Sequence, residues 1–449
     1  MFLNCHTYYS LKYGTMSPDD YLAWMEKHGL EKAVLTDINN TSAFLDLLRK
    51  AKSKKISLIS GVDFRLGAQQ KFIGIAKNNQ GFQELNAFLS AYLAGDCELT
   101  DQAPNWKHVW VVYPWSKDCP KPLKSHEFFG LRSADLADYL RRCPQALRGR
   151  CVALHTASFQ GKKEFNMHRL LRAIDCNQLL SRLPATEQGN ETDLYLSPAQ
   201  LKVEFKGHNY LVEAAQNLLN QCEFSFDFNF NARHNNLQNY TQQADLDYRL
   251  IRHLAYAGVP YRYGSLSPSI RDRIEKELRV IRDKGFVSYF LVAWHILKYA
   301  RKQGYFYVGR GSGANSILSY LLRITDVDPL ELDLYFERFI NLFRQSPPDF
   351  DIDFSWKDRE DVTRYIFNRF PNVCLLAAYS TFKRKSVVRE LAKVFGLPEQ
   401  EIKRLQTQMT AEDDLGRLVL RYSQWIQGFP SHLTVHSAGI LISEKPIHA

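Results

Sequence analysis

Acidic and large apolar residues alternate in the segment PDFDIDF at residues 348–354. Successive side chains of a β-strand point to opposite faces, so this pattern predicts a strand with three carboxylates on one face and three large apolar side chains on the other. Adjacent carboxylates repel one another, and a divalent cation bound by oxygen ligands offsets that repulsion most directly. Two such cations about 3.5 to 4 Å apart perform in-line phosphoryl transfer. The alternative is a solvated edge strand whose acidic residues discourage aggregation.

A glycine-rich turn lies upstream of the acidic segment. It reads VGRGSGANS at residues 308–316 and runs directly into an apolar helical pattern at residues 317–322. Glycines let backbone amides approach a phosphate closely, and a helix N-terminus supplies further donors and a partial positive charge. No lysine-serine or lysine-threonine pair follows the last glycine, so the Walker pattern is excluded. The turn predicts a phosphate cradle, with a tight turn or a flexible linker as the alternative.

A basic helical pattern occupies residues 382–395 and ends at the helix-stop signal GLP at residues 396–398. Apolar residues recur at helical spacing along one side, which predicts an amphipathic helix. Its cations form either a solvated helix face or a contact surface for phosphates. The cations concerned are Lys383, Arg384, Lys385, Arg389 and Lys393.

Short apolar runs alternate with helical stretches between residues 2 and 64, and the rhythm continues more weakly to residue 154. This alternation predicts a parallel α/β layer or a barrel. Several polar residues fall at or near the predicted strand ends, where barrel-like folds place their active sites. They could bind a metal ion or be isolated surface residues. These residues are Asn4, His6, Asp37, Asp63, His155 and His168.

The composition favours a polyanionic partner. Among 449 residues, 58 lysines and arginines exceed 48 aspartates and glutamates, for a net charge of +10. Nucleic acid is the first candidate partner and an anionic membrane surface the second. The 45% hydrophobic content excludes disorder, collagen and coiled coil as descriptions of the whole chain. Without an apolar leader, a run of about 18 apolar residues or a CxxC pair, we expect a soluble cytoplasmic protein with reduced thiols.

A domain boundary is predicted where the composition changes. Residues 230–243 read FNARHNNLQNYTQQ, which is rich in asparagine and glutamine and poor in aliphatic residues. Long helical patterns follow at residues 245–256, 267–284 and 289–302. The second of these opens with serine before proline, as does an earlier helical pattern at residues 197–198. That pair is typical of a helix N-terminus. The serine side chain accepts a hydrogen bond from a free backbone amide, and proline has no amide N–H that would need a partner.

Four motifs, taken in order, make the chain similar to the C-family bacterial DNA polymerases, the family of the DNA polymerase III alpha subunit. The likeness continues through YSTFK at residues 379–383 and HSAG at residues 436–439, and it extends back into the N-terminal region. It covers essentially the whole chain. The four motifs are GRGS at residues 309–312, ITDVDP at 324–329, FERF at 336–339 and PDFDIDF at 348–354.

The resemblance implies an α/β multidomain architecture. A distorted α/β barrel, the polymerase-and-histidinol-phosphatase (PHP) domain, would be followed by a nucleotidyltransferase palm with a helical thumb inserted in it. The implied domains are PHP at residues 1–235, the first part of the palm at 236–375, the thumb at 376–430 and the return to the palm at 431–449.

The resemblance also implies the roles of individual residues. Asp349 and Asp351 would be the catalytic, metal-binding aspartates, with Asp353 beside them as a further ligand. Gly311 and Ser312 would hold the phosphates of the incoming nucleotide, with two arginines close by. These arginines are Arg310 and Arg338. Two Mg²⁺ ions, primed template DNA and deoxynucleoside triphosphates are the implied cofactor and substrates. A sliding clamp and other replisome subunits are implied partners, through regions that follow this segment in the family.

The N-terminal region departs from the family pattern for an active PHP site. The first HxH motif is replaced by Asn4-Cys5-His6, Asp37 is followed by isoleucine, and the later aspartate-x-histidine motif begins with Asn166. An amide or an isoleucine cannot replace an imidazole or a negative charge at a metal. We therefore expect a structural domain with a degenerate site, of which His6, Asp37, Asp63 and His168 remain.

A second departure concerns the C-terminus. In the family, a third catalytic aspartate lies beyond the HSAG-like segment, whereas this sequence stops at Ala449. The expectation is either the N-terminal part of a larger polypeptide or a truncated paralogue. The leading hypothesis is a DNA-directed DNA polymerase whose isolated segment is inactive. The alternatives are a catalytically incomplete DNA-binding protein and a PHP-type metal-dependent phosphoesterase.

Overall fold

The computed structural model describes residues 2–116, 122–226, 228, 237, 239–341 and 349–447. The chain divides into two compact units. The first unit contains Met1–Phe228 and Ala377–Val435, and the second contains Asn229–Leu376 and His436–Ile447.

Twelve strands lie within the described ranges. They are β1 (Asn4–Cys5), β2 (Lys32–Leu35), β3 (Ser57–Leu66), β4 (Gln69–Ala76), β5 (Val109–Pro114), β6 (Glu127–Leu131), β7 (Cys151–Ala153), β8 (Thr156–Ala157), β9 (Tyr307–Arg310), β10 (Asp351–Phe354), β11 (Val373–Thr381) and β12 (Pro430–Ile442).

Fifteen α-helices lie within the same ranges. They are α1 (Pro18–Lys27), α2 (Phe44–Ser53), α3 (Asn79–Ala94), α4 (Leu136–Arg142), α5 (Lys162–Asp175), α6 (Pro198–Glu204), α7 (Asn209–Asn220), α8 (Ala244–Tyr263), α9 (Pro268–Asp283), α10 (Val287–Lys302), α11 (Ile317–Leu321), α12 (Arg359–Arg369), α13 (Arg384–Val394), α14 (Glu399–Gln408) and α15 (Asp414–Ile426).

The first unit is built on a six-stranded sheet with the order β2-β3-β4-β5-β6-β7. Strand β1 pairs in parallel with β8, and the Thr36 amide after β2 donates to the carbonyl of Cys5 in β1 at 3.0 Å. Because β8 directly follows β7 in the chain, these links join the two ends of the sheet through β1. The predicted distorted α/β barrel is confirmed.

One strand breaks the predicted parallel order. Strand β4 runs antiparallel to both β3 and β5, whereas the β2-β3 and β5-β6-β7 pairings are parallel. Only Gly67 and Ala68 connect β3 to β4, and Gly67 has a φ of +60°. A two-residue connection forms a hairpin and is too short for the crossover that a parallel pair needs.

Side chains of α8, α9, α10 and α11 form the hydrophobic core of the second unit. Ile274, Leu278 and Phe290 are fully buried in it. The predicted cap before α9 is confirmed, because the Ser267 hydroxyl accepts from the Ile270 amide at 3.3 Å. Helix α8 is longer than the sequence predicted. It continues past Gly258, where a Cβ atom would lie 2.4 Å from the carbonyl oxygen of Leu321, so glycine permits its close packing on α11.

The helical segment α13–α15 lies between β11 and β12, which pair with each other. In the first unit, Val388 and Leu391 of α13 share a core with Met167 and Leu170 of α5. The predicted end of the basic helix is confirmed, since Gly396 follows α13 with a φ of +82°. The helical segment predicted as a thumb thus packs on a helix of the barrel unit, and its assignment as a thumb remains a prediction.

Candidate active site

Two aspartates of the acidic segment share one exposed face of a two-stranded ribbon. Strand β10 pairs antiparallel with β9, which places Asp351 opposite Arg310 and Asp353 opposite Val308. Both aspartates are exposed, whereas Ile352 between them is partly buried against the helical core. The predicted separation into an acidic and an apolar face is confirmed for these residues.

The strand is shorter than predicted. It begins at Asp351, so Asp349 and Phe350 precede it, and Pro348 lies outside the described residues. Phe350 still belongs to the apolar side, since its ring lies 5.1 Å from that of Phe290 in α10. Asp349 is exposed and precedes the strand, whereas Asp351 and Asp353 lie on it.

Arg310 bridges the two strand carboxylates. Its Nε donates to Oδ2 of Asp353 at 2.7 Å, and its Nη1 lies 3.5 Å from Oδ2 of Asp351. The three side chains are 50% to 58% exposed. Hydrogen bonding to Asp353 and the two negative charges raise the pKa of Arg310 above its ordinary value. Exposed ion pairs contribute little to stability, so other cations can compete with Arg310 for these carboxylates.

Glycines position the ribbon against its neighbours. Gly311 has a φ of +76°, and a Cβ atom there would lie 2.6 Å from Oδ2 of Asp351. A Cβ atom at Gly309 would lie 1.9 Å from the carbonyl oxygen of Ile324, and the Thr325 hydroxyl donates to the Gly309 carbonyl at 3.0 Å. The GRGS and ITDVDP motifs are therefore one structural feature, in which close packing requires glycine.

The helix after the glycine-rich turn does not offer the free amides that the sequence predicted. Glu277 of α9 is fully buried, and its carboxylate accepts from the amides of Ile317 and Leu318 at 3.1 and 3.3 Å. Ser316 caps the Ser319 amide at 3.2 Å. Burial raises the pKa of Glu277, although hydrogen bonds from Arg273 and Ser316 oppose that shift. The N-terminus of α11 is already satisfied by the protein, so this part of the predicted phosphate cradle is wrong.

The remaining nucleotide-binding candidates face solvent. Gly311 and Ser312 lie in a 3₁₀ turn spanning Gly311–Asn315, and both are exposed. Arg338 is exposed between the buried Phe336 and Phe339, and no carboxylate in the described part of the chain pairs with it. These residues and Arg310 are accessible to an anion, and their role in nucleotide binding remains a prediction.

The basic helix α13 separates packing from charge. Its five candidate cations are exposed, while Val387, Val388 and Leu391 are fully buried. Lys393 pairs with Glu390 at 3.1 Å. Within the described ranges, no carboxylate forms an ion pair with the other four, which are Lys383, Arg384, Lys385 and Arg389. The amphipathic helix is confirmed, and its role in phosphate binding remains a prediction.

In the barrel, three of the degenerate-site residues meet around one carboxylate. Asp63 is fully buried and accepts from Asn4 Nδ2 at 3.1 Å and from His6 Nε2 at 3.0 Å. Gln70 Nε2 donates to its other oxygen at 2.9 Å. Nδ1 of His6 lies 2.8 Å from the Ser158 hydroxyl, which fixes the imidazole.

A fourth partner of Asp63 was missed by the sequence reasoning. Arg65 is 4% exposed and contacts the carboxylate through two guanidinium nitrogens. The spacing of two residues becomes informative only once Asp63 and Arg65 are known to share strand β3, on which residues two apart lie on one face. Burial opposes ionisation of Asp63, but the Arg65 charge and the His6 hydrogen bond outweigh it and leave the pKa of this carboxyl well below its usual value.

The other degenerate-site residues are held separately. His168 on α5 donates from Nδ1 to the Tyr13 carbonyl and accepts the Gly189 amide at Nε2, each at 2.8 Å. Burial lowers its pKa to about 3. Asp37 accepts from the Thr7 hydroxyl at 2.8 Å, and burial raises its pKa. Asn166, on the same helix as His168, is partly exposed.

The two sites differ in the exposure of their carboxylates, since Asp63 is buried and Asp351 and Asp353 are exposed. No group of three or more histidine, cysteine, aspartate or glutamate side chains in the described part of the chain is arranged to hold a metal ion. Mg²⁺ is commonly bound by only one or two carboxylates, with water and substrate phosphates completing its octahedron. Asp351 and Asp353, which are exposed and adjacent, fit that requirement.

Two family models match the chain. Residues 3–113 match the PHP domain, and residues 249–449 match the bacterial DNA polymerase III alpha NTPase domain. The chain thus joins a PHP domain to a DNA polymerase III alpha domain. The resemblance to the C-family polymerases that the motifs predict is confirmed.

Relatives align with nearly the whole polymerase-like chain. An error-prone DNA polymerase from Symbiobacterium thermophilum is 27% identical over 99% of this chain and 47% of its own length. A DNA polymerase III subunit alpha from Streptococcus pyogenes serotype M3 is 25% identical over 99% of this chain and 44% of its own length. The chain spans about half the length of these curated relatives.

None of the helices in the described ranges is both long enough and apolar enough to cross a membrane. The seven cysteines in those ranges form no disulfide.

Proposed function

We propose that this chain supplies the metal- and nucleotide-binding part of a DNA-directed DNA polymerase. The observation that carries the proposal is the placement of Asp351 and Asp353 on one exposed face, bridged by Arg310 and packed against Gly311. This arrangement puts carboxylates for cations, a guanidinium and an exposed backbone turn within one small surface.

The carboxylates of Asp351 and Asp353 would hold two Mg²⁺ ions, with Asp349 able to join from the preceding residues. When bound, the ions neutralise the triphosphate and align the primer 3′-hydroxyl with the α-phosphate. Arg310 would then exchange its carboxylate partners for phosphate oxygens. Gly311 and Ser312 would donate backbone amides, and Arg338 would add a second guanidinium.

Primed DNA would be held by phosphate contacts from the basic helix. Lys383, Arg384, Lys385 and Arg389 are exposed and lack carboxylate partners in the described ranges. Deoxynucleoside triphosphates are the proposed substrates. The cytoplasm is the proposed location. A sliding clamp and replisome subunits would bind through regions that the longer relatives have beyond this segment.

Magnesium-dependent primer extension, measured in the longest polypeptide that contains these residues, tests the proposal. We expect Asp351→Asn to reduce extension by at least about a thousandfold, because it removes a charge from the central metal ligand. Glu360→Gln, an exposed substitution on α12, is the matched control and should extend normally. Asp349→Asn and Asp353→Asn identify the second essential carboxylate by the larger loss. Extension at the wild-type rate in Asp351→Asn would refute the assignment.

A DNA-binding protein without synthesis is the second candidate, and the exposed basic helix supports it equally well. The two functions separate in one experiment. Salt-sensitive binding of primed DNA with no extension under any metal would favour the non-catalytic function, whereas extension that Asp351→Asn abolishes would favour the polymerase.

A further inference from the structure

The buried carboxylate of Asp63 has a complete set of partners supplied by the protein. Arg65 Nη2 lies 2.7 Å and Nε 2.9 Å from its Oδ2 oxygen, which also receives Asn4 and His6. Its Oδ1 oxygen receives Gln70. The side chains of Asp63 and Arg65 are 0% and 5% exposed. The carboxylate is therefore shielded from solvent, and both of its oxygens accept hydrogen bonds from protein donors.

Local strand geometry brings these groups together. Asp63 and Arg65 lie two residues apart on β3, and the β3-β4 register shifts between Phe64 and Arg65. The shift pairs Arg65 with Gln70 and skips Lys71. Such a bulge redirects side chains, and here the amide of Gln70 reaches Asp63.

The Arg65 guanidinium also contacts an aromatic ring. The Arg65 Cζ atom lies 4.8 Å from the centre of the Tyr13 ring, a distance at which the ring face attracts a cation. The Tyr13 ring in turn packs on His168, with ring centres 4.4 Å apart. Arg65 thus contacts Asp63, one of the metal-site remnants identified from the sequence, and is linked to His168 through the Tyr13 ring.

A buried carboxylate requires a positive charge nearby, because an isolated buried charge is strongly unfavourable. A divalent cation beside His6 and Asp63 would meet that need, and so does the fixed guanidinium. The two cations cannot occupy the same space, and they repel one another.

We propose that Arg65 takes the place of a metal ion in this barrel, as a built-in cation that holds the Asn4, His6 and Asp63 cluster together and excludes divalent cations. The inference is independent of the polymerase proposal, since it concerns the PHP unit alone. It predicts that the fold of the barrel depends on Arg65 and not on any added metal.

The first test is the thermal unfolding midpoint of the whole chain with EDTA, Mn²⁺ or Zn²⁺. We expect the wild-type midpoint to be the same in all three. Arg65→Met should lower it by about 10 °C, because it leaves Asp63 buried without its counter-charge. Arg141→Met, at an exposed arginine of helix α4, is the matched control and should change the midpoint little. A wild-type midpoint that falls in EDTA, or an Arg65→Met midpoint equal to that of the wild type, would overturn the proposal.

The second test asks whether Arg65 is what excludes the metal. Asn4→His supplies a second imidazole while Arg65 remains, and it should show no rise in midpoint with Mn²⁺. Asn4→His combined with Arg65→Met should gain a Mn²⁺-dependent rise. A rise in both variants, or in neither, would contradict the exclusion.

If the double variant does not fold, the unfolding midpoint of Arg65→Lys tests the role of the charge instead. It keeps a charge in the cluster, so its midpoint should lie between those of the wild type and Arg65→Met. A midpoint as low as that of Arg65→Met would overturn the role of the charge.

Discussion

Both units of the molecule pair an arginine with aspartate at neighbouring strand positions. The two groups differ in solvent exposure. In the barrel, the Asp63–Arg65 pair is 0% and 5% exposed, and Asn4 and Gln70 also donate to Asp63. On the β9-β10 ribbon, Arg310 and its two aspartates are 50% to 58% exposed. A buried pair cannot exchange partners without leaving a charge uncompensated, whereas an exposed pair can. Burial therefore makes one pair structural and leaves the other open to metal ions and phosphates.

The largest stability difference should appear when each aspartate is neutralised. Asp63→Asn should lower the free energy of unfolding by about 3–5 kcal/mol, because it leaves the Arg65 charge buried and unpaired. Asp351→Asn should cause no measurable loss, since it removes a repelling charge at an exposed site. Urea unfolding of both variants measures the difference. Equal losses would remove the distinction between a closed and an open site.

Local signals explain which parts of this comparison were predictable. The alternation at residues 348–354 gave the exposed and buried faces of β10, and serine before proline gave the starts of α6 and α9. Both signals act over a few residues. The barrel was predictable because strand and helix patterns alternate, except at β4, where a two-residue hairpin reverses the direction.

Contacts between distant residues were not predictable in the same way. Glu277 caps α11 from a different helix, so the glycine-rich turn alone wrongly suggested an open helix terminus. The degenerate ligands indicated a structural barrel, but the partner of Asp63 depended on the bulge at Phe64 and Arg65. A single sequence does not predict which buried charged side chains contact one another, because tertiary packing determines those contacts.

The pH dependence of stability should reveal the closed barrel. His168 has a folded pKa of about 3, against an ordinary value of 6.5, so acid protonates the unfolded chain preferentially. Its contribution is complete above pH 6.5 and is lost as the pH falls toward 3. Between pH 7 and 5 the loss should be about 2 kcal/mol. His168→Gln should flatten this slope, and the exposed His432→Gln should not. An unchanged slope in His168→Gln would contradict the neutral, buried imidazole.

Removing charge from the basic helix should have the smallest effect of these changes, because DNA binding is shared among many phosphate contacts. Replacing Lys383, Arg384 and Lys385 with alanine should reduce the slope of log affinity against log salt by about 2 to 3 on duplex DNA. Lys27, Lys52 and Lys55 are exposed lysines of the barrel and provide the control triple. Titration of primed DNA at several salt concentrations gives both slopes. If the control triple reduces the slope by the same amount, DNA binding depends on net charge and not on α13.

Manganese binding measured by electron paramagnetic resonance tests the contrast between the open and the closed site most directly. Titrations would compare the wild type, Asp351→Asn and Asp63→Asn, each with and without a deoxynucleoside triphosphate. We expect the wild type and Asp63→Asn to bind Mn²⁺ equally, with nucleotide strengthening the binding, and Asp351→Asn to lose most of it. Full Mn²⁺ binding in Asp351→Asn, or a loss caused by Asp63→Asn, would contradict the assignment of the metal site to the exposed strand.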